Sequence, residues 1–121
     1  MNWNQKQMNS GDVHWVELPD NDGKEQRGRR PVVILQDDSY GSSLPTVLVV
    51  PLSSTRAALR FPGTALIRAT EKSGLRNDSV ALVFQLRAID RSRIATFLGA
   101  ISIEERAAIQ DEFRKLLGQN R

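Results

Sequence analysis

Two short apolar runs, Pro31-Val32-Val33-Ile34-Leu35 and Thr46-Val47-Leu48-Val49-Val50-Pro51-Leu52, constrain this chain more than any other feature. Both are rich in β-branched residues and too short for a helix, and neither alternates polar with apolar. Each therefore reads as a strand buried on both faces. A strand covered on both sides needs partners in more than one layer. The rest of the sequence supplies them as short elements cut by turn chemistry. Gly11 opens a strand-like stretch over residues 12–18, which Pro19-Asp20-Asn21-Asp22-Gly23 closes. Further strands are expected near residues 63–68, 79–86 and 95–101, with Gly74 and Asn77-Asp78 marking the turn between the first two. Pro51 has no amide hydrogen, which predicts a sheet edge or a bulge at its end of the strand.

The period then changes. Ser102-Ile103-Glu104-Glu105 fits a capping box, Ile109, Phe113, Leu116 and Leu117 follow at helical spacing, and Gly118 suits the position after the last turn. The expected architecture is about six short strands and a terminal amphipathic helix that must bury one face: mostly β, in a single domain over residues 11–118. Residues 1–10 are polar and amide-rich and read as a mobile leader. A chain of 121 residues can build one such core. Its longest apolar run, residues 47–52, is too short to cross a bilayer, and its start lacks the apolar core of a signal peptide. A cytoplasmic protein without membrane contact is expected.

Composition removes several chemistries. There is no cysteine, hence no disulfide, zinc-thiolate site or thiol nucleophile. His14 is the single histidine and lies inside a strand beside Trp15, where an imidazole is more often packed than catalytic. A serine-hydrolase triad or a histidine zinc site cannot be assembled from it. The neighbours in Asp37-Asp38 and Glu104-Glu105 point apart on a strand or helix, and Asp20-Asn21-Asp22-Gly23 lacks the spacing and terminal glutamate of a calcium loop. No metal or cofactor is implied.

Charge is more informative by position than in sum. The formal charge is +3, yet residues 24–30 carry four bases and one acid, and residues 56–94 carry eight bases and three acids. Thirteen of the 17 bases are arginine, whose planar fork matches phosphate. A solvated basic face and an anion-binding surface are both consistent with this pattern. The segment Gly23-Lys24-Glu25-Gln26-Arg27-Gly28-Arg29-Arg30 has the glycine spacing of a phosphate-binding loop, but it runs into a strand where that loop needs a helix N-terminus. It reads instead as a mobile, arginine-rich loop. Arg30 sits where loop becomes sheet, so it is the arginine that can be held still. A fixed guanidinium can stabilise the extra charge of a pentacoordinate phosphorus, whereas a strand-end ion pair, for instance with Glu25, is the plainer role. Ser53-Ser54-Thr55 place three hydroxyls at the end of the third strand, where function or simple loop capping is possible. Phe61 is either a stacking surface for an unpaired base or a core contact.

Taken together, several segments resemble the MazF/PemK (EndoA-type) family of type II toxin endoribonucleases. They are Gly11-Asp12-Val13 with Trp15-Val16, Glu25-Gln26 with Arg29-Arg30-Pro31-Val32-Val33-Ile34-Leu35, and Thr46 through Ser53. Gly74-Leu75 with Asp78-Ser79-Val80, and Gln85-Leu86-Arg87-Ala88-Ile89-Asp90-Arg91 with Arg93-Ile94, complete the set. The resemblance implies a small Src-homology-type β-barrel of the CcdB/MazF/PemK kind, closed by a C-terminal helix and assembled as a homodimer. It implies metal-independent cleavage of single-stranded RNA at a short sequence, with 2′,3′-cyclic phosphate and 5′-hydroxyl ends. It also implies a separate antitoxin that lays an acidic peptide along the RNA groove, with DNA binding by the pair. Carried over by position, Arg30, Ser53 and Glu25 form the catalytic set. Lys24, Gln26, Arg27, Arg29, Arg56, Phe61, Gln85 and Arg87 are the RNA-binding candidates. Phe84 stands where the family commonly has Asp or Glu, so an acidic group for base recognition or proton transfer is absent there. Two alternatives follow: a CcdB-like gyrase poison without enzymatic activity, and an RNA-binding module that has lost catalysis.

Overall fold

The computed structural model of the chain describes residues 8–19, 23, 28–40 and 43–119. Seven strands, all paired antiparallel, are followed by one α-helix. The strands are β1 (Asp12–Leu18), β2 (Gly28–Ile34), β3 (Thr46–Ser53), β4 (Thr64–Ile67), β5 (Ser79–Leu82), β6 (Arg87–Asp90) and β7 (Ile94–Ala100). The helix, α1, spans Ile103–Leu116. The sheet runs β4-β5-β3-β2-β1-β7, and β6 also pairs with β3. Its end strands β4 and β7 do not pair with each other, so the expected barrel is an open sheet.

Strands β1, β2 and β3 feed two cores. Val16, Leu18, Val32, Ile34, Val47 and Val49 face one, with Ile89 of β6 and Ile94 of β7. Val13, Val33, Val50 and Leu52 face the other, with residues from β4 and β5 and Ile109 of α1. The continuous apolar runs are explained by this double burial, because both parities of β2 and β3 are covered. His14 is buried on β1, its Nδ1–H donating to the Ala95 carbonyl at 3.1 Å and its ring edge-on to Phe97.

Three expectations need correction. The stretch expected as one strand over 79–86 is β5, a 3-10 turn at Val83–Gln85, and then β6. The chain turns this corner because β5 pairs with the end of β3 (Leu52↔Ala81), while β6 pairs with its beginning (Thr46↔Asp90). Pro51 accordingly lies in a central strand, buried and opposite Val32, and not at an edge. It falls in the gap between the β6 ladder, which ends at Val49, and the β5 ladder, which starts at Leu52. Residues 8–10 of the expected leader are docked: Met8 is buried in the first core, and Ser10 N–H donates to Asp38 at 2.6 Å.

The helix starts as its sequence predicts. Ser102 Oγ accepts the Glu105 N–H and Glu105 Oε1 accepts the Ser102 N–H, both at 3.0 Å. Glu105 Oε2 also accepts the Arg68 N–H at 2.7 Å, tying α1 to the chain leaving β4. Such a cap contributes about 1 kcal/mol, while burying Ile109 contributes about 1.5–3 kcal/mol, so packing holds the helix and the cap sets where it begins. The apolar face is covered only in part, since Leu116 and Leu117 remain exposed.

The loop from β4 to β5 is packed unusually tightly against β7. Gly74 has φ +71°, and a Cβ there would lie 2.1 Å from the Leu98 carbonyl oxygen; a Cβ on Gly99 would lie 2.1 Å from the Lys72 oxygen. Ala100 N–H donates to that same Lys72 carbonyl at 2.7 Å. Gly74→Ala should therefore cost at least about 2 kcal/mol in thermal unfolding, because strain and a backbone clash combine. Gly28→Ala, with φ +77° but open space around it, should cost about 1 kcal/mol. Equal losses for the two variants would contradict the close approach.

Candidate functional site

The rim at the start of β2 and the end of β3 carries Arg29, Arg30 and Ser53 of the expected site residues. The β2–β3 register pairs Val32 with Pro51 and Val33 with Val50. That ladder ends at Val32–Pro51, and Arg30 and Ser53 each lie two residues beyond it on their own strands. Both have the parity of the first-core face, Arg30 following Val32 and Ser53 following Val49 and Pro51. Arg87, opposite Val49 on β6, flanks β3 on its other side. Arg30 is therefore held by a strand paired with β1 at Val16 and followed by Pro31, whose ring fixes the backbone. Ser53 is buried, and its Oγ accepts the Thr55 N–H at 3.1 Å, which leaves its proton to be donated.

On the other face of the same rim lies a cavity of ≈ 480 Å³, lined by Trp15, Pro31, Leu52, Leu75 and Leu98 as apolar surface. Arg29, Arg30, Ser54, Arg76, Asn77 and Ser79 also line it, with no carboxylate among the described residues of the lining. Adjacent residues divide between the faces: Arg29 and Ser54 go to this cleft, while Ser53 does not line it. The Arg29 guanidinium lies 5.1 Å from the centre of the Trp15 ring, a cation–π stack that holds it in place.

The remaining expected residues lie apart from this cleft. Arg56 pairs with Asp78 at 3.6 Å at its outer edge. Gln85 is half-buried in the 3-10 turn that joins β5 to β6. Phe61 meets Phe84 edge-to-face at 6.0 Å between ring centres and lies under Arg60, in an exposed apolar patch. Lys24, Glu25, Gln26 and Arg27 lie outside the described residues. Sequence reasoning raised Ser54 only as one of three strand-end hydroxyls and did not single out Trp15, Arg76 and Asn77, which also line the cleft. The only signal for the last two was an arginine and an amide set inside a Gly74-to-Asp78 turn.

That loop is fixed at both ends. Ser73 Oγ is a buried hub, accepting the Thr70 and Leu75 N–H groups and lying 3.1 Å from the Arg68 carbonyl. Asp78 accepts the Ala69 N–H at 2.8 Å and pairs with Arg56 and Arg68.

Fold and rim together define a small β protein with a cationic, hydroxyl-bearing edge and a rigid cleft beside it. The family model for PemK-like, MazF-like toxins of type II toxin–antitoxin systems matches residues 9–117. An endoribonuclease MazF of Staphylococcus saprophyticus is 32% identical over 111 residues, covering 92% of each chain. The crystal structure of MazF (Form-I) from Deinococcus radiodurans superposes with a TM-score of 0.79 at 25% identity, covering 93% of this chain and 98% of that one. A MazE–MazF structure (Form-II) from the same organism gives 0.75 at 25% identity, covering 95% and 99%. The chain belongs to the PemK-like, MazF-like toxin family.

Asp78→Asn should lower stability by about 1 kcal/mol, because the half-buried acceptor of the Ala69 N–H and the partner of two arginines loses its charge. Arg56→Ala, at an exposed ion pair, should stay within about 0.5 kcal/mol. Comparing the two melting midpoints checks the assignment of Asp78 as the anchor.

Proposed function

We propose that the chain is a toxin endoribonuclease that cuts single-stranded RNA at a short sequence without a metal ion. The placement of Arg30 and Ser53 two residues beyond the last β2–β3 pair, Val32 with Pro51, carries this reading. In the proposed reaction the ribose 2′-oxygen attacks the neighbouring phosphorus and its proton passes to a base. The bond to the 5′-oxygen breaks as that oxygen gains a proton. The products are a 2′,3′-cyclic phosphate and a 5′-hydroxyl. A fixed guanidinium suits the dianionic phosphorane, and a hydroxyl whose lone pair is already occupied suits donation to a phosphoryl oxygen. Arg30 stabilises the phosphorane and assists the leaving oxygen, and Ser53 binds a phosphoryl oxygen. Glu25 orients Arg30 or accepts the 2′ proton. Lys24, Gln26, Arg27, Arg29, Arg56, Phe61, Gln85 and Arg87 serve as the wider RNA surface.

Arg30→Ala should lower kcat by about two orders of magnitude or more, the scale of losing a fixed transition-state donor. RNA incubated with the wild type in chelator should give mapped 5′-hydroxyl ends, and the all-deoxy analogue should stay intact. Cleavage of the deoxy strand would refute the mechanism. RNA that is bound but never cut would identify a binding module instead.

The working form in this proposal is a cytoplasmic homodimer held by an acidic antitoxin. Among the described residues, no helix is long and apolar enough to cross a membrane. Phe61, Phe84, Leu116 and Leu117 are 46%, 43%, 47% and 54% exposed, and Gly63 sits between Phe84 and Leu116. A second copy is the commonest cover for such a patch. A disordered acidic tail suits the arginine surface, competing with RNA and weakening as salt rises. The MazE–MazF assembly in the Deinococcus radiodurans structure supports a partner of this kind. Sedimentation at micromolar concentration should give a dimer, and adding the product of the adjacent gene should give a heavier, inactive complex. A lone monomer, or full RNA cleavage in that mixture, would refute the respective part.

A further inference from the structure

We infer that the cleft beside the rim is a single-nucleotide subsite in which Asn77 reads the base edge while Arg76 and the stacked Arg29 hold the adjoining phosphate. The inference rests on the ribonuclease reading and adds one position of its sequence preference.

Four observations converge on it. The cavity, at ≈ 480 Å³, is of small-ligand size, and Trp15, Leu52, Leu75 and Leu98 give it the apolar surface that a base requires. The Asn77 side-chain amide makes no hydrogen bond among the described residues, since only its backbone carbonyl is used, accepting Ser79 Oγ–H at 3.1 Å. An unengaged amide offers one acceptor and two donors, the pattern that reads a base edge. Arg76 is exposed and likewise has no partner among the described residues, so its fork is open to an anion. The loop carrying both is rigid, pinned by the Gly74 approach to Leu98 and by Asp78, so little ordering opposes binding.

Position fixes which nucleotide it takes. Arg29 and Arg30 are consecutive, about 3.8 Å apart at Cα, and Arg30 borders the cleft as well as the Ser53 face. A base seated here therefore belongs to a nucleotide next to the scissile phosphate. Among the described residues, Arg29, Arg30 and Arg76 all line this one cavity. That suits one nucleotide with its phosphate better than an extended acidic strand.

End-mapped digests of a long RNA by wild type, Asn77→Ala, Asn77→Asp and Arg76→Gln test this. Asn77→Ala should relax base preference about tenfold at one position beside the cut and leave the others alone. Asn77→Asp, which exchanges two donors for an acceptor, should favour a different base at that position. Arg76→Gln should raise KM several-fold at unchanged kcat and reduce the salt slope of binding by about 1. Unchanged melting points exclude misfolding as the cause. Cleavage by the wild type with identical preferences in both Asn77 variants overturns the subsite while leaving the ribonuclease reading intact. If the wild type does not cut, fluorescein-labelled 2′-deoxy oligonucleotides differing at one base replace the digest. Discrimination by wild type that Asn77→Ala abolishes then supports the subsite, and equal binding of all four overturns it. Variants that keep RNA preference but lose a synthetic Asp/Glu-rich peptide assign the cleft to peptide and also overturn it.

Discussion

Burial of β2 and β3 on both faces is the constraint from which the site follows. Val32 and Val33, and Val49 and Val50, are each fully buried although neighbours point in opposite directions. Two cores must then exist, one on each side, and no register slip is tolerated, because a shift of one residue would exchange the two sets. The same alternation continues past the last apolar residue. Ser54 goes to the cleft and Ser53 does not, while Arg29 and Arg30 both border it. A pair of strands that had only one buried face would have lost this control at its ends.

The second face acquires its shape from contacts distant in sequence. Trp15 and Leu52 belong to the sheet, but Arg76 and Asn77 reach the cleft only because residues 72–74 lie against β7. Glycine is required at Gly74 and Gly99, where backbone meets backbone with no room for a Cβ. Ser73 and Asp78 then satisfy the amides that such a tight loop leaves without ladder partners. Rigidity in this loop comes from hydrogen bonds and close approach; it contains no strand of its own.

Local chemistry made much of this readable beforehand. The double-sided strands, the Ser102 cap and the Gly118 stop depend on residues a few positions apart, and the structure repeats them closely. Arg30 and Ser53 were singled out near strand termini, and their proposed roles came from the family resemblance. What sequence did not reveal depends on long-range pairing. The break in the 79–86 stretch arises because β3 has two partners along one edge, and Pro51 is tolerated in the middle of the sheet by the gap between them. The docking of residues 8–10 combines one apolar side chain, Met8, with hydrogen bonds of Ser10 to Asp38 and Arg106, partners 28 and 96 positions away. Arg76 and Asn77 carry turn chemistry that says nothing about what the turn will face.

Division of the rim has a consequence for how such a chain can change. In the proposed reaction, residues on the Arg30 face act on charge that every phosphodiester shares, so their geometry is tied to the chemistry. In the inferred subsite, residues of the cleft meet a base or a flanking phosphate, and both Arg76 and Asn77 are exposed. Substitutions there leave the register of β2 and β3 untouched, since the loop is anchored through Gly74, Ser73 and Asp78 on either side of them. Recognition is thereby free to vary on a scaffold whose catalytic edge is fixed by the packing of its two cores.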